Sequence, residues 1–146
     1  MRRLMIIACG ATKRHDAGLL PAIDRYDGPP YRTLRANLRE LAEDRRPTIR
    51  ILSAEFGLIP AETPIPDYDH RMTQARALAL QGQVRAALAD LLVAGDYAAA
   101  FVNLGADYMP ALPLNPTTIP RLGVITTAHG GIGERMALMK CWLREA

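Results

Sequence analysis

At 146 residues the chain is long enough for one domain with its own core, and too short to divide comfortably in two. Hydrophobic residues make up 49 %, which excludes wholesale disorder, while aromatics are only 5 %, so each ring is a candidate for a specific task. A formal charge of +3 and a pI near 9.1 permit an anionic partner, but arginines on solvated helix faces give the same balance.

The first element is Leu4-Met5-Ile6-Ile7-Ala8, a continuous apolar run without alternation, which predicts a strand buried on both faces. Cys9-Gly10-Ala11-Thr12-Lys13 breaks it, and residues 15 to 29 read as an irregular excursion with a turn of helix at Leu19 to Ile23. From Pro30 to Asp44 the apolar positions Leu34, Leu38, Leu41 and Ala42 recur at spacings of three and four. That is an amphipathic helix with proline in its first turn. Ile49 to Ser53 is a second strand. Ala54 to Asp69 follows as a long loop, because Pro60, Pro64 and Pro66 forbid a helix across it. A helix is expected from Met72 to Val93, with Gly82 weakening its middle. A third strand covers Ala98 to Leu104, a short helix Asp107 to Ala111, and a fourth strand Leu122 to Thr126. Gly130-Gly131-Ile132-Gly133 opens the last helix, with Met136, Leu138, Met139, Trp142 and Leu143 on its apolar side. Alternating strands and helices predict one α/β domain over 1–146. It has three layers: a mainly parallel four-stranded sheet with helices on both faces.

Cys9 and Cys141 lie near opposite ends of the chain, and neither belongs to a CxxC pair. With three histidines there is no metal-ligand spacing, so neither a metal nor a cofactor is expected. A disulfide between the two cysteines stays open. Met1-Arg2-Arg3 precedes only a strand-length apolar run, and no apolar stretch reaches the roughly 20 residues of a membrane helix. The cytoplasm is therefore the expected location, with no membrane partner. A homodimer through the helix-rich surface and the apolar tail around Trp142 is allowed without being required.

In open parallel sheets ligands bind beyond the carboxyl ends of the strands. Those ends are Cys9 to Lys13, Ser53 to Gly57, Gly105 to Tyr108 and Thr126 to Gly130, and they should converge on one edge. Gly10 lets backbone approach a ligand and Lys13 suits a phosphate or carboxylate; equally, Lys13 and Arg14 are solvated loop charges. Cys9 reads as a small buried hydrophobe before a nucleophile. Ser53, Glu55, Asp67 and Asp69 gather a hydroxyl and three carboxylates around one proline-stiffened segment, where a carboxylate could activate water. Asp69 divides between catalyst and cap of the following helix. Gly130, Gly131 and Gly133 open a helix whose free N–H groups favour anions, and His129 precedes them. Close helix-to-sheet packing explains the glycines as well.

Taken together, these segments resemble a known family. They are Cys9-Gly10-Ala11-Thr12-Lys13, Tyr26-Asp27-Gly28-Pro29-Pro30-Tyr31, Ser53 to Leu58, Ile65 to Asp69 and Gly131 to Gly133. The order resembles the DUF6884 family over nearly the whole chain. That group is similar to the YaaA peroxide-stress proteins and, more distantly, to the uracil-DNA glycosylase-like α/β folds. The resemblance implies cleavage of an N-glycosidic bond in a nucleotide or in nucleic acid. Tyr31, Phe56, Tyr68 or Tyr108 would stack on a base, and Lys13 with the Gly130 to Gly133 helix start would hold phosphate. Asp69, with Glu55 and Ser53 behind it, would serve as the catalytic set. The chain lacks the glycosylases' water-activating motif after the first strand and their His-Pro-Ser loop, so a modified base is expected before uracil. Two other readings use the same residues: a non-enzymatic DNA-binding stress protein presenting Arg32, Arg35, Arg39, Arg45 and Arg46, and a nucleotide-binding module without turnover.

Overall fold

The computed structural model describes residues 2–112 and 122–145. In chain order its elements are β1 (Arg3–Ala8), β2 (Leu20–Pro21), α1 (Ala22–Arg25), α2 (Pro29–Glu40), β3 (Thr48–Ser53), β4 (Gly57–Pro60), β5 (Pro64–Ile65), α3 (Gln74–Ala94), β6 (Tyr97–Asn103), β7 (Leu122–Thr127) and α4 (Ile132–Arg144). Single 3-10 turns cover Glu43–Arg45 and Met109–Ala111.

The main sheet has the order β4-β3-β1-β6-β7, with β1 at its centre. β1 runs parallel to β3 (Ile6 opposite Arg50) and to β6 (Ile6 opposite Val102), and β6 runs parallel to β7. Alternation along β1 divides the core in two. Leu4 and Ile6 pack with Val102 and with Ala77, Leu80, Val84, Leu88, Leu91 and Leu92 of α3. Met5 and Ile7 pack with Phe101, with Tyr31 and Leu34 of α2, and with Met139, Trp142 and Leu143 of α4. Both faces of the strand are thus covered, which is why its sequence carries no polar alternation. The three-layer α/β architecture is as expected.

Its details differ from the sequence reading in four places. The sheet has five strands, because the segment read as a structureless loop folds back at Gly57 and adds β4 antiparallel to β3. Prolines forbid a helix there, but an edge strand tolerates Pro60 at its end. β2 and β5 form a small second sheet inside the supposedly irregular regions. Trp142 is 4 % exposed, its ring 5.5 Å from that of Phe101 and 4.5 Å from the Arg3 guanidinium carbon. Trp142 itself is therefore core and not an exposed apolar surface. Finally, α3 is by length and composition apolar enough to cross a membrane, against the expectation that no segment is; its buried face lies on the sheet. Both cysteines are free thiols, Cys9 half-buried and Cys141 exposed.

Candidate functional site

The chain passes from β1 outward to β3 and later returns to pair on the opposite side through β6, so the order reverses between β1 and β6. Ligand clefts in open α/β sheets form at such reversals. A cleft of about 400 Å³ lies there, lined by Cys9 and Gly10 after β1, Asn103 and Gly105 after β6, Pro29 and Pro30 of α2, and Ile132 and Arg135 of α4. A second cleft of about 370 Å³ is lined by Lys13, Tyr68, Asp69, His70, Arg71 and Tyr108. Both share Cys9-Gly10-Ala11, so this turn stands as a ridge between a proline cleft and a tyrosine cleft.

The ridge is pinned along its length. Cys9 N–H donates to Leu52 O at 2.9 Å, Asp27 N–H to Thr12 O at 3.0 Å, and Arg14 N–H to Arg25 O at 2.8 Å, while Lys13 bridges to Tyr26. Arg25 is fully buried without a carboxylate against it, and its guanidinium donates to the carbonyls of Arg14, Asp16, Gly18 and Ile65. One charged side chain thereby ties the 14–18 loop to β5.

Behind the tyrosine cleft runs a chain of hydroxyls. Ser53 Oγ lies 2.9 Å from Tyr68 Oη, which bonds in turn to Tyr26 Oη at 2.5 Å. Ser53 also accepts from the N–H groups of Glu55 and Phe56, at 3.1 and 3.2 Å. Burial pushes the Tyr26 phenol up to about 12 and raises those of Tyr68, Tyr108 and Tyr31 further. None is a phenolate at neutral pH, so these groups donate and position but do not act as bases. Tyr108 Oη lies 3.2 Å from Cys9 Sγ and donates to Cys9 O at 3.3 Å.

The carboxylates separate by their partners. Glu55 is exposed and paired with His70 at 2.6 Å, and it lines neither cleft. Asp67 is paired with His15 at 2.7 Å, and that bond holds its carboxyl below the usual range. Asp69 lines the tyrosine cleft and has no hydrogen bond or ion pair among the described residues. Nor does it cap α3: that position belongs to Thr73, whose side chain accepts from Arg76 N–H at 3.1 Å. Lys13 Nζ sits 4.7 Å from the centre of the Tyr68 ring.

The expected site residues therefore divide. Cys9, Gly10, Lys13, Tyr68, Asp69 and Tyr108 come together in the tyrosine cleft. Ser53 is fully buried and fully bonded, so it is a positioning residue and not a catalytic one. Glu55 leaves the catalytic set for the reason given above. Phe56 packs 5.2 Å from Tyr68 and lines neither cleft, and Gly57 forms the β3–β4 turn. Tyr31 lies at the wall of the proline cleft, its hydroxyl donating to Ala8 O at 2.7 Å. His129, Gly130, Gly131 and Gly133 are exposed and line neither cleft, although Ile132 and Arg135 beside them do. Of the arginines offered as a basic stripe, Arg35 is held by the carbonyls of Ile23 and Tyr26 and by Asp27, and Arg46 by those of Leu38 and Leu41.

Sequence reasoning missed Asn103 and Arg135. The signals were a polar residue closing an apolar strand, and a cation one turn into the glycine-led helix, directly after the acid Glu134 of its first turn.

No family model matches the chain, and no curated protein matches it significantly. Among solved structures it is similar to AF0587, a protein of unknown function, at a TM-score of 0.58 and 10 % identity over 99 % of this chain. The chain spans 45 % of AF0587's length. At that identity the likeness shows the α/β fold alone.

Proposed function

We propose that this protein hydrolyses the N-glycosidic bond of a nucleobase, the activity implied by the resemblance to glycosylase-like families. The observation that carries the reading is one unpaired carboxylate, Asp69, sharing a cleft with an ammonium, Lys13, and the Tyr68 and Tyr108 rings. The cleft falls in the size range of small-ligand sites. Tyr68 already has Phe56, Tyr26 and Lys13 against its ring, so the stacking platform for a base is Tyr108.

In this reading the C1′–N bond breaks and its electron pair stays on the base nitrogen, where Lys13 opposes the developing negative charge. Asp69 opposes the positive charge that grows on the sugar and orients a water whose oxygen bonds to C1′. The proton lost by that water passes to the carboxylate and then to the departing base. A target inside a duplex would first leave the stack. The hydroxyl chain Ser53–Tyr68–Tyr26 sets the wall against which Asp69 stands.

The test is free-base release, read by mass spectrometry, from a panel of nucleotides and modified oligonucleotides. Asp69→Asn is expected to lower the rate by about 10²- to 10⁴-fold with folding unchanged, since the side chain is exposed. Wild-type rates in Asp69→Asn, or no base released from any member by the native protein, would overturn the reading.

A further inference from the structure

We infer that the proline cleft is a phosphodiester subsite, and that the substrate is a polynucleotide strand lying across the Gly10 ridge. This rests on the reading above and names its substrate class.

Arg135 carries the first part. Its guanidinium is propped by three oxygens: Nε donates to Gly130 O at 3.0 Å, and one terminal nitrogen to Asn103 Oδ1 and to Leu104 O, each at 3.3 Å. None of these acceptors is a carboxylate, and Arg135 has no ion pair among the described residues. The positive charge is held in place and left unneutralised beside a cleft. Such a planar fork suits a phosphate.

Asn103, which accepts from Arg135, is the second observation. It is 9 % exposed, yet its Nδ2 donor has no hydrogen bond among the described residues, and the residue lines the same cleft. The nitrogen is open to the cleft, where water serves it in the absence of a ligand. A ligand oxygen in the cleft would take that water's place.

The uncapped start of α4 reaches the cleft only at Ile132, and its first turn also carries the carboxylate of Glu134, so the phosphate contact rests on Arg135 and Asn103. The start of α2 does not compete. Its first two residues are Pro29 and Pro30, and the next two N–H groups both go to Gly28 O.

Contiguity supplies the polymer. The clefts share Cys9, Gly10 and Ala11, with Lys13 in one and Arg135 in the other. A free nucleoside fills the tyrosine cleft and leaves the second cation idle. A strand engages both, its reacting nucleotide beside Asp69 and a flanking phosphodiester beside Arg135. Gly10 leaves the crossing open: a Cβ added there would meet nothing closer than Thr12 O at 3.9 Å, and the backbone needs no left-handed conformation.

Fluorescence anisotropy with labelled single-stranded DNA and RNA 12-mers tests this, beside base release from an oligonucleotide and from its mononucleoside. Arg135→Gln is expected to weaken strand binding about tenfold or more and to lower the salt slope by about one. It should leave mononucleoside turnover unchanged. Because Arg135 also bonds to backbone, Gly10→Val is the second variant. It keeps those bonds, fills the crossing, and should lose strand binding while its thermal melt stays native. Native affinity for both strands in Arg135→Gln and Gly10→Val would overturn the subsite. So would equal efficiency on mononucleoside and oligonucleotide. Either result leaves base release, and with it the proposed activity, standing. Arg135-dependent binding without any base release would instead remove the activity and keep the subsite.

Discussion

Tyr26 is where burial has its clearest measurable consequence. Its hydroxyl is bonded to Tyr68, and the folded phenol holds its proton up to about 12, against about 10 in an unfolded chain. Between those values the unfolded state binds fewer protons, so stability is whole below pH 10 and falls as pH rises. For Tyr26 alone the loss is about 1 kcal/mol at pH 11. Urea denaturation at pH 8 and pH 11 should show it, and Tyr26→Phe should make the fall shallower by that amount. An equally steep fall in the variant would exclude Tyr26 as its source. At this scale the sequence singled out Tyr68, Asp69 and Lys13 correctly as neighbours of Cys9, because strand ends and a stiff loop constrain them. The role of Tyr26, marked only as part of a resembling segment, and that of Arg25 went unrecognised: a buried hydroxyl chain and a guanidinium on four carbonyls depend on contacts between separate segments. No local pattern marks them.

Among the elements, β4 shows what local reading misses. Its pairing places Gly57 opposite Ser53, with a φ of +74° that a side-chain-bearing residue adopts only at a cost. An added Cβ would also fall on the Gln83 carboxamide, which accepts from Leu58 N–H at 3.0 Å and so ties α3 to the hairpin. Gly57→Ala is expected to destabilise the protein by roughly 1–3 kcal/mol, combining backbone strain with the displaced hydrogen bond. A shift in the urea midpoint measures it, and no shift would show that the turn relaxes freely. The strand was illegible because four residues ending in Pro60 carry no two-residue periodicity. What defines β4 is its partner β3, and the long helix α3 was recognisable by comparison because its signal lies within itself.

For the whole molecule, the alternation of apolar strands and amphipathic helices was enough to predict a parallel sheet covered on both sides. The continuous run Leu4 to Ala8 placed a fully covered strand, which proved central. What it could not supply was the strand order, and hence the reversal between β1 and β6 over which the proline cleft opens. Phe101 joins the layers there: it is fully buried on β6 against Trp142 of α4. Phe101→Ala should cost about 3–5 kcal/mol, a large share of the roughly 5–15 kcal/mol that holds a domain together. In urea the midpoint should drop with the slope unchanged; a changed slope would mean that α4 had detached on its own.

The partition between the clefts is stapled from both sides, by Leu52, Asp27 and the buried Arg25. Such a wall behaves as a template: on the strand path proposed above, the guest and not the protein would supply any bend. A stiff duplex, whose persistence length is about 150 base pairs, resists that curvature, whereas a slack unpaired chain yields to it.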